Sequence, residues 1–415
     1  MKSTGLRVMF CFFFNFSQVW LASAAPQEGS PGKDSFKPGP NTSGAGSQDK
    51  PLMGVGIGAD GLQNPKSSQV IQKYFQSLFW AICGDLWKAI LANITLDLRS
   101  SSCLPQFFML QKLTKPSGYD AKNIKPCSTQ IFEYAKKNNK LLRIHTMFAR
   151  GQHPVWIDQL KKEDLQKAMT NILEQVVRRY ASRAIGIDVC NEILNDQGNL
   201  DDNPWKKTLG DSWVDFAYTV AKRFRDRHNK NMLLFSNFLL FFLDKLCLCL
   251  LEFICAFFSV NDFRIESKNP KSDGMLKLAT RLNKAGLLDA VGFQCHFTVG
   301  QVPKDLKENL ERFTAAGLKV ALTEVDVRIQ LNGQQTASPQ DQDTQARDYQ
   351  TIYETCKQVK GCVSVTTWGL TPKDSWIGKY GFSPGFGDAT LFNNDFTPNK
   401  AMQKIQGEFF AQATR

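Results

Sequence analysis

From Leu52 to Trp368 the chain alternates short apolar runs with stretches of helical period, and this alternation constrains its fold more than any other feature. The strand candidates are Leu52–Ala59, Leu141–Thr146, Ala184–Asn191, Met232–Phe235, Ala290–His296, Lys319–Val325 and Cys362–Trp368. Between them, Glu163–Tyr180 places Leu165, Met169, Ile172, Leu173, Val176 and Val177 on one helical face. Trp213–His228 and Met275–Ala285 have the same period. Strand and helix in alternation predict parallel βα units. No GxGxxG follows the first strand, which argues against a dinucleotide-binding sheet. A single (β/α)8 barrel suits a chain of 415 residues better. With 42% hydrophobic and 22% charged residues, the chain has a globular composition that excludes wholesale disorder.

Such a barrel places its chemistry where the strands end, at the C-terminal face. Polar residues should therefore stand at the ends of the apolar runs, and they do: His145, Asn191-Glu192, His296, Glu324 and Trp368. Glu192 and Glu324 matter most. A single glutamate at a strand end is commonly just the first residue of a helix near its positive pole. Two of them on two strands of one barrel are the equipment of glycoside hydrolysis, where one carboxyl donates a proton and the other attacks or activates water. Trp156, Trp368 and Trp376 suit sugars, whose C–H faces pack on aromatic rings.

Four motifs carry a closer resemblance. They are Asp188-Val-Cys-Asn-Glu192, Gln294-Cys-His296, Leu322-Thr-Glu-Val-Asp326 and the run from Trp368 to Trp376. In order and spacing they resemble W-D-V-V-N-E, Q-x-H, I-T-E-L-D and the W-G-x-x-D-x-x-S-W region of family-10 glycoside hydrolases, the endo-β-1,4-xylanases, of fungal type. The resemblance runs from about residue 120 to the C-terminus. It implies Glu192 as acid then base, Glu324 as nucleophile, and Asn191 on the sugar 2-hydroxyl. It also implies that His296, braced by Asp326, tunes Glu324, that Gln294 and His145 support the site, and that Trp368 and Trp376 line the cleft. The implied mechanism is retaining, with carboxyl groups ~5–5.5 Å apart. The substrate would be xylan or a related plant cell-wall polysaccharide, with no metal or organic cofactor.

Three departures from the family pattern follow. Residues 237–259 read NFLLFFLDKLCLCLLEFICAFFS and interrupt a strand whose halves are Met232-Leu-Leu-Phe-Ser and Val260-Asn-Asp-Phe. The segment is as long as a membrane span, but it would bury Asp244, Lys245 and Glu252 in the bilayer. An in-frame retained intron is the expected origin, with a genuine lineage-specific insertion as the alternative. Between Gln76 and Leu113 neither a second strand nor the family's E-N-x-M-K-W motif is legible, since Phe79–Cys83 and Trp87–Leu91 look helical or arbitrary. The barrel is thus expected to be disturbed at its second and fifth strands. In His145-Thr-Met-Phe-Ala-Arg-Gly-Gln152, compared with H-T-L-V-W-H-S-Q, Ala149 and Arg150 replace a Trp and a His, which changes the expected substrate fit.

The first fifty residues read as export and leader. Residues 1–24 form a secretory signal, with Lys2 and Arg7, an apolar Val8–Trp20 short of the ~20 residues of a span, and an Ala22-Ser23-Ala24 cleavage site. Residues 25–50 are a Gly-, Pro-, Ser- and Lys-rich flexible leader, and 51–415 are the barrel. Sequons at Asn41 and Asn93 suit secretion. Among the 11 cysteines, Cys356 and Cys362 can close a small loop, a disulfide position the family resemblance also implies. Cys190 and Cys295 sit in apolar runs as buried thiols. No CxxC pair or His/Cys cluster supports a zinc site. The net charge of +12 favours acidic partners, but no basic stripe interleaved with aromatics points to nucleic acid. A secreted, extracellular monomer without stable membrane association is expected. The alternatives are an inactive secreted carbohydrate-binding relative, a hydrolase of another β-linked glycan, or a protein tethered through 237–259.

Overall fold

Six of the seven expected apolar runs form strands, because a strand covered on both faces needs continuous hydrophobicity. In the computed structural model the described residues are 51–81, 127–180 without 152 and 154, 184–240, and 256–407 without 335 and 380–382. Eight parallel strands close into a ring: β1 (Leu52–Gly56), β2 (Ser77–Ala81), β3 (Leu141–Ala149), β4 (Ala184–Asn191), β5 (Phe257–Asp262), β6 (Ala290–Phe293), β8 (Lys319–Gln330) and β9 (Cys362–Trp368). Pairing of β9 with β1 completes the circle, with Gly56 opposite Trp368. Outside the ring, β7 (His296–Thr298) extends the mouth by pairing His296 with Asp326 of β8. A short β10 (Phe386–Gly387) runs antiparallel to the end of β8.

Helices cover the outside. In chain order they are α1 (Ala59–Gln63), α2 (Pro65–Tyr74), α3 (Cys127–Lys137), α4 (Lys162–Tyr180), α5 (Pro204–Leu209), α6 (Trp213–Leu240), α7 (Pro270–Lys284), α8 (Leu306–Ala315), α9 (Pro339–Gln358) and α10 (Lys400–Ile405). The predicted apolar face of α4 is buried in full, from Leu165 to Val177. α7 starts where its sequence dictates: the Asn269 side chain accepts from Ser272 N, and Pro270 occupies the first turn, where no N–H is needed. Among the described residues no helix is long and apolar enough to cross a membrane.

The (β/α)8 expectation holds, with corrections in detail. Met232–Phe235, expected as a strand, lies inside α6. The fifth strand is instead Phe257–Asp262, so its first half comes from the atypical segment. The physical reason is a near repeat: Leu234-Phe235-Ser236 and Phe257-Phe258-Ser259 offer the same pattern, but only the second abuts Val260. A second strand does exist at Ser77–Ala81, paired to β1 and β3, where none was expected. The Ala290–His296 run divides into β6 and β7, with Cys295 in a left-handed conformation between them (φ 64°). Residues 82–126 and 241–255, which include most of both atypical segments, lie outside the described residues, as do the expected signal and leader.

The ring interior is not wholly apolar. Arg143, 6% exposed, reaches the fully buried Asp188 on the neighbouring strand β4 with contacts of 2.6 and 3.1 Å. The room for this comes from Gly292, where a Cβ would lie 2.3 Å from Asn261 Oδ1 and 2.8 Å from an Arg143 nitrogen. Cys356 and Cys362 form a disulfide joining the end of α9 to the start of β9, and Cys190 and Cys295 are free and buried, as expected.

Candidate active site

Glu324 lies midway along β8 and is 3% exposed. Three side chains surround its carboxylate. Oε1 accepts from Asn261 Nδ2 at 2.8 Å and is 4.0 Å from His145 Nε2. Oε2 is 3.3 Å from His296 Nε2. On its other side, His296 Nδ1 is 3.0 Å from Asp326 Oδ1, and Trp376 Nε1 donates to Asp326 Oδ2 at 2.8 Å. The alternation of β8 puts Glu324 and Asp326 on the same face, so the two carboxylates grip one imidazole. Burial works against a charged His296, yet Asp326 and Glu324 outweigh it and push the pKa up to about 10.

His145 lies midway along β3, which runs on past the expected end at Thr146 to Ala149, and it is held from the neighbouring strand β4. Its Nδ1 pairs with Asp188 Oδ2 at 3.0 Å, and Asp188 also takes Arg143 and the Ser259 hydroxyl. Burial resists the Asp188 charge, but Arg143 and His145 more than offset this and hold the carboxyl well below the ordinary range. The Trp368 ring packs edge-on to His145 at 6.4 Å, and Trp376 does so to His296 at 5.1 Å. Both tryptophans are half-buried.

Glu192 follows the last residue of β4 and sits in the left-handed region, φ 56°. Gln294 Nε2 donates to its Oε1 at 3.1 Å, while the Gln294 carbonyl accepts from Glu324 N at 2.9 Å. One residue of the β6–β7 turn thus touches both glutamates. Asn191 Oδ1 accepts from Asn261 Nδ2 at 2.9 Å.

The structure therefore brings Glu192, Glu324, Asn191, His145, Gln294, His296, Asp326, Trp368 and Trp376 to one end of the barrel. The side chain of Trp156 lies outside the described set. The sequence reading missed Asn261, which joins Asn191 to Glu324. Its signal was present in Val260-Asn-Asp-Phe, but the polar pair was read only as a strand fragment. Arg150 turns from the ring to a salt bridge with Asp201 at 2.8 Å beside the Phe263 ring, bordering an open hollow of about 350 Å³.

A barrel that brings carboxylates from β4 and β8 to one mouth, with tryptophan faces beside them, has the architecture of a glycoside hydrolase. The particular lineage follows from comparison. The chain belongs to glycosyl hydrolase family 10, whose profile matches residues 125–239 and 255–408. It is 32% identical over 251 residues to endo-1,4-beta-xylanase A of Phanerodontia chrysosporium, covering 60% of this chain and 54% of that one. It is 31% identical over 281 residues to endo-1,4-beta-xylanase D of Talaromyces funiculosus, covering 66% of this chain and 61% of that one. The chain thus spans less than two thirds of the length of these curated relatives. The crystal structure of a glycosylated family-10 endo-beta-1,4-xylanase from Gloeophyllum trabeum superposes with a TM-score of 0.66 at 26% identity, covering 90% of this chain and 100% of that one. Xylanase 10B from Thermotoga petrophila RKU-1, solved with xylobiose, shares the fold with a TM-score of 0.65 at 22% identity, covering 91% of this chain and 98% of that one.

Proposed function

We propose that this chain is a secreted endo-1,4-β-xylanase that cleaves internal bonds of plant xylan by double displacement. The observation that carries the reading is the contact of Gln294 with both Glu192 and Glu324. In the first step Glu324 attacks the anomeric carbon while Glu192 gives its proton to the leaving glycosidic oxygen. A glycosyl-enzyme ester forms and the shortened chain departs. In the second step Glu192 takes a proton from water, whose oxygen attacks the same carbon and frees Glu324. The His296 charge, fixed between Asp326 and Glu324, favours the ionised nucleophile. Asn191 would meet the sugar 2-hydroxyl, and Trp368 and Trp376 would face the sugar rings.

The family match is interrupted at residues 240–254, which supports reading 237–259 as an insertion into the barrel gene. Residues 1–24 support export, and secretion would release a mature chain beginning near Ala25.

The test is proton NMR of xylohexaose digestion with the full chain and with Glu324→Ala. The β-anomer should appear first, and Glu324→Ala should lose roughly 10⁴-fold or more in kcat, about 5.5 kcal/mol. Initial α-anomer would exclude double displacement. Turnover by Glu324→Ala at the parent rate would exclude the site, and binding of xylan without product would favour the carbohydrate-binding relative.

A further inference from the structure

The reaction as written leaves a buried ion pair without a task. Asp262 ends β5 and is wholly buried, and Lys271, in the first turn of α7, is 2% exposed. Lys271 Nζ lies 2.8 Å from Asp262 Oδ1 and 3.6 Å from the Phe263 ring centre. Taking two charges out of water costs several kcal/mol per ion, and mutual attraction rarely returns more than that. A core of this size could be filled at that point by apolar side chains.

The groups around the pair supply a task. Glu192 is a non-glycine residue at φ 56°, a conformation that persists only where its surroundings hold it. Its N–H donates to Asn261 O at 2.9 Å, and two residues on Leu194 N donates to Asp262 Oδ2 at 3.3 Å. Asp262 O in turn accepts from Gln294 N at 3.1 Å, and Gln294 holds the Glu192 carboxyl. Further along the same loop, Gly198 lies so close to α7 that a Cβ on Gly274 would stand 2.1 Å from Gly198 O. The loop that carries Glu192 is therefore seated on the end of β5 and the start of α7, where Asp262 meets Lys271. Burial pushes the Asp262 carboxyl up to about 7 against the pull of Lys271, and the nearby Glu192 charge adds to the rise.

We infer that Asp262, with Lys271 as its counter-ion, is the positioning residue of Glu192: its carboxylate holds the left-handed turn that aims the Glu192 carboxyl at the leaving oxygen. The inference rests on the proposed role of Glu192 as acid and base. A residue that aims a proton donor matters in proportion to how much the leaving group needs the proton. A residue that merely stabilises the barrel lowers turnover of all substrates alike.

The experiment compares kcat/KM of the full chain on xylohexaose, whose leaving sugar needs protonation, and on 2,4-dinitrophenyl β-xylobioside, whose phenolate leaves without it. Glu192→Ala sets the scale, with roughly 10³-fold lost on xylohexaose and little on the activated glycoside. Asp262→Asn, which keeps the shape and removes the charge, should lose about 10- to 100-fold on xylohexaose and less than about threefold on the activated glycoside. Lys271→Met, which removes the counter-ion, should show the same split at about tenfold. It decides the question alone if Asp262→Asn does not accumulate as folded protein. Equal losses on both substrates in folded variants, or no loss on either, overturn the inference while Glu192→Ala still splits them. If Glu192→Ala shows no split, the assignment of Glu192 itself fails.

Discussion

Asn261 Nδ2 donates to Glu324 Oε1 at 2.8 Å, so the end of strand β5 holds the carboxylate carried by β8. The amide is fixed in that orientation from behind, because Thr323 Oγ1 donates to Asn261 Oδ1 at 2.6 Å. The same Nδ2 serves Asn191 Oδ1, which ties the end of β4 into the arrangement.

Asn261→Ala should therefore damage both function and stability. It leaves Glu324 and Asn191 each short of a donor in a buried place, a cost of about 1–3 kcal/mol. Xylan turnover should fall by about 10- to 100-fold because the Glu324 carboxylate is held less firmly. Urea unfolding and reducing-sugar release measure the two effects separately.

The stability of the fold should carry a basic-side dependence from His296. Its folded pKa of about 10 lies above the ordinary 6.5, so its contribution is complete below about 6.5 and is lost as pH rises through about 10. Nitrogen NMR of the imidazole should show both ring nitrogens protonated at pH 8. His296→Asn should flatten the alkaline side of a plot of unfolding free energy against pH.

Asp188 produces the opposite limb. Its folded pKa is depressed by Arg143 and His145, so its contribution is present above the ordinary value of 3.8 and is lost as pH falls toward the lowered one. Asp188→Asn should remove that acid-side slope and cost more than about 3 kcal/mol at pH 7, because it leaves Arg143 charged and buried without its anion. Chemical denaturation at pH 3, 5 and 7 checks it.

Reduction of the Cys356–Cys362 bridge should lower stability without lowering kcat. The bridge closes a loop with a sequence separation of 6, for which chain entropy gives about 2 kcal/mol. Cys362 begins β9 and Trp368 ends it, so the disulfide lies at the end of the strand away from the mouth. Thermal melting and xylan assays of Cys356→Ala/Cys362→Ala test both halves of the statement.

Deleting residues 237–259 should yield a folded protein. Joining Ser236 to Val260 would put Leu234, Phe235 and Ser236 in the places of Phe257, Phe258 and Ser259, and α6 would end a turn or more before Leu234. The hydroxyl that Asp188 needs from Ser259 is then supplied by Ser236. A thermal midpoint at or above that of the parent is expected. A deletion variant that is insoluble or molten would show that β5 requires its present first half.

Much of this was legible in the sequence, for identifiable reasons. β4 and β9 lie where their apolar runs predicted, and the polar residue ending each run proved to stand at the mouth. The α4 face was legible because its apolar period holds without a break from Leu165 to Val177. β2 was not, because a run of five residues with no alternation reads equally as helix. β5 was misplaced because one apolar pattern occurs twice, and only pairing with β4 and β6 selects the second copy. Asn261, Asp262 and Lys271 escaped notice for a related reason: a polar residue in a buried strand or helix start acquires meaning only from a partner distant in the chain.

The ring is completed by β9 on β1, the last barrel strand on the first, with Leu52–Gly56 in register with Ser364–Trp368. Because Trp368 sits in that seam and packs on His145, the mouth is whole only when the two extremes of the barrel have met. Contacts of such long sequence separation form late and slowly. During refolding, helical signal should therefore return before hydrolysis does, and recovery of hydrolysis would time the closing of the seam.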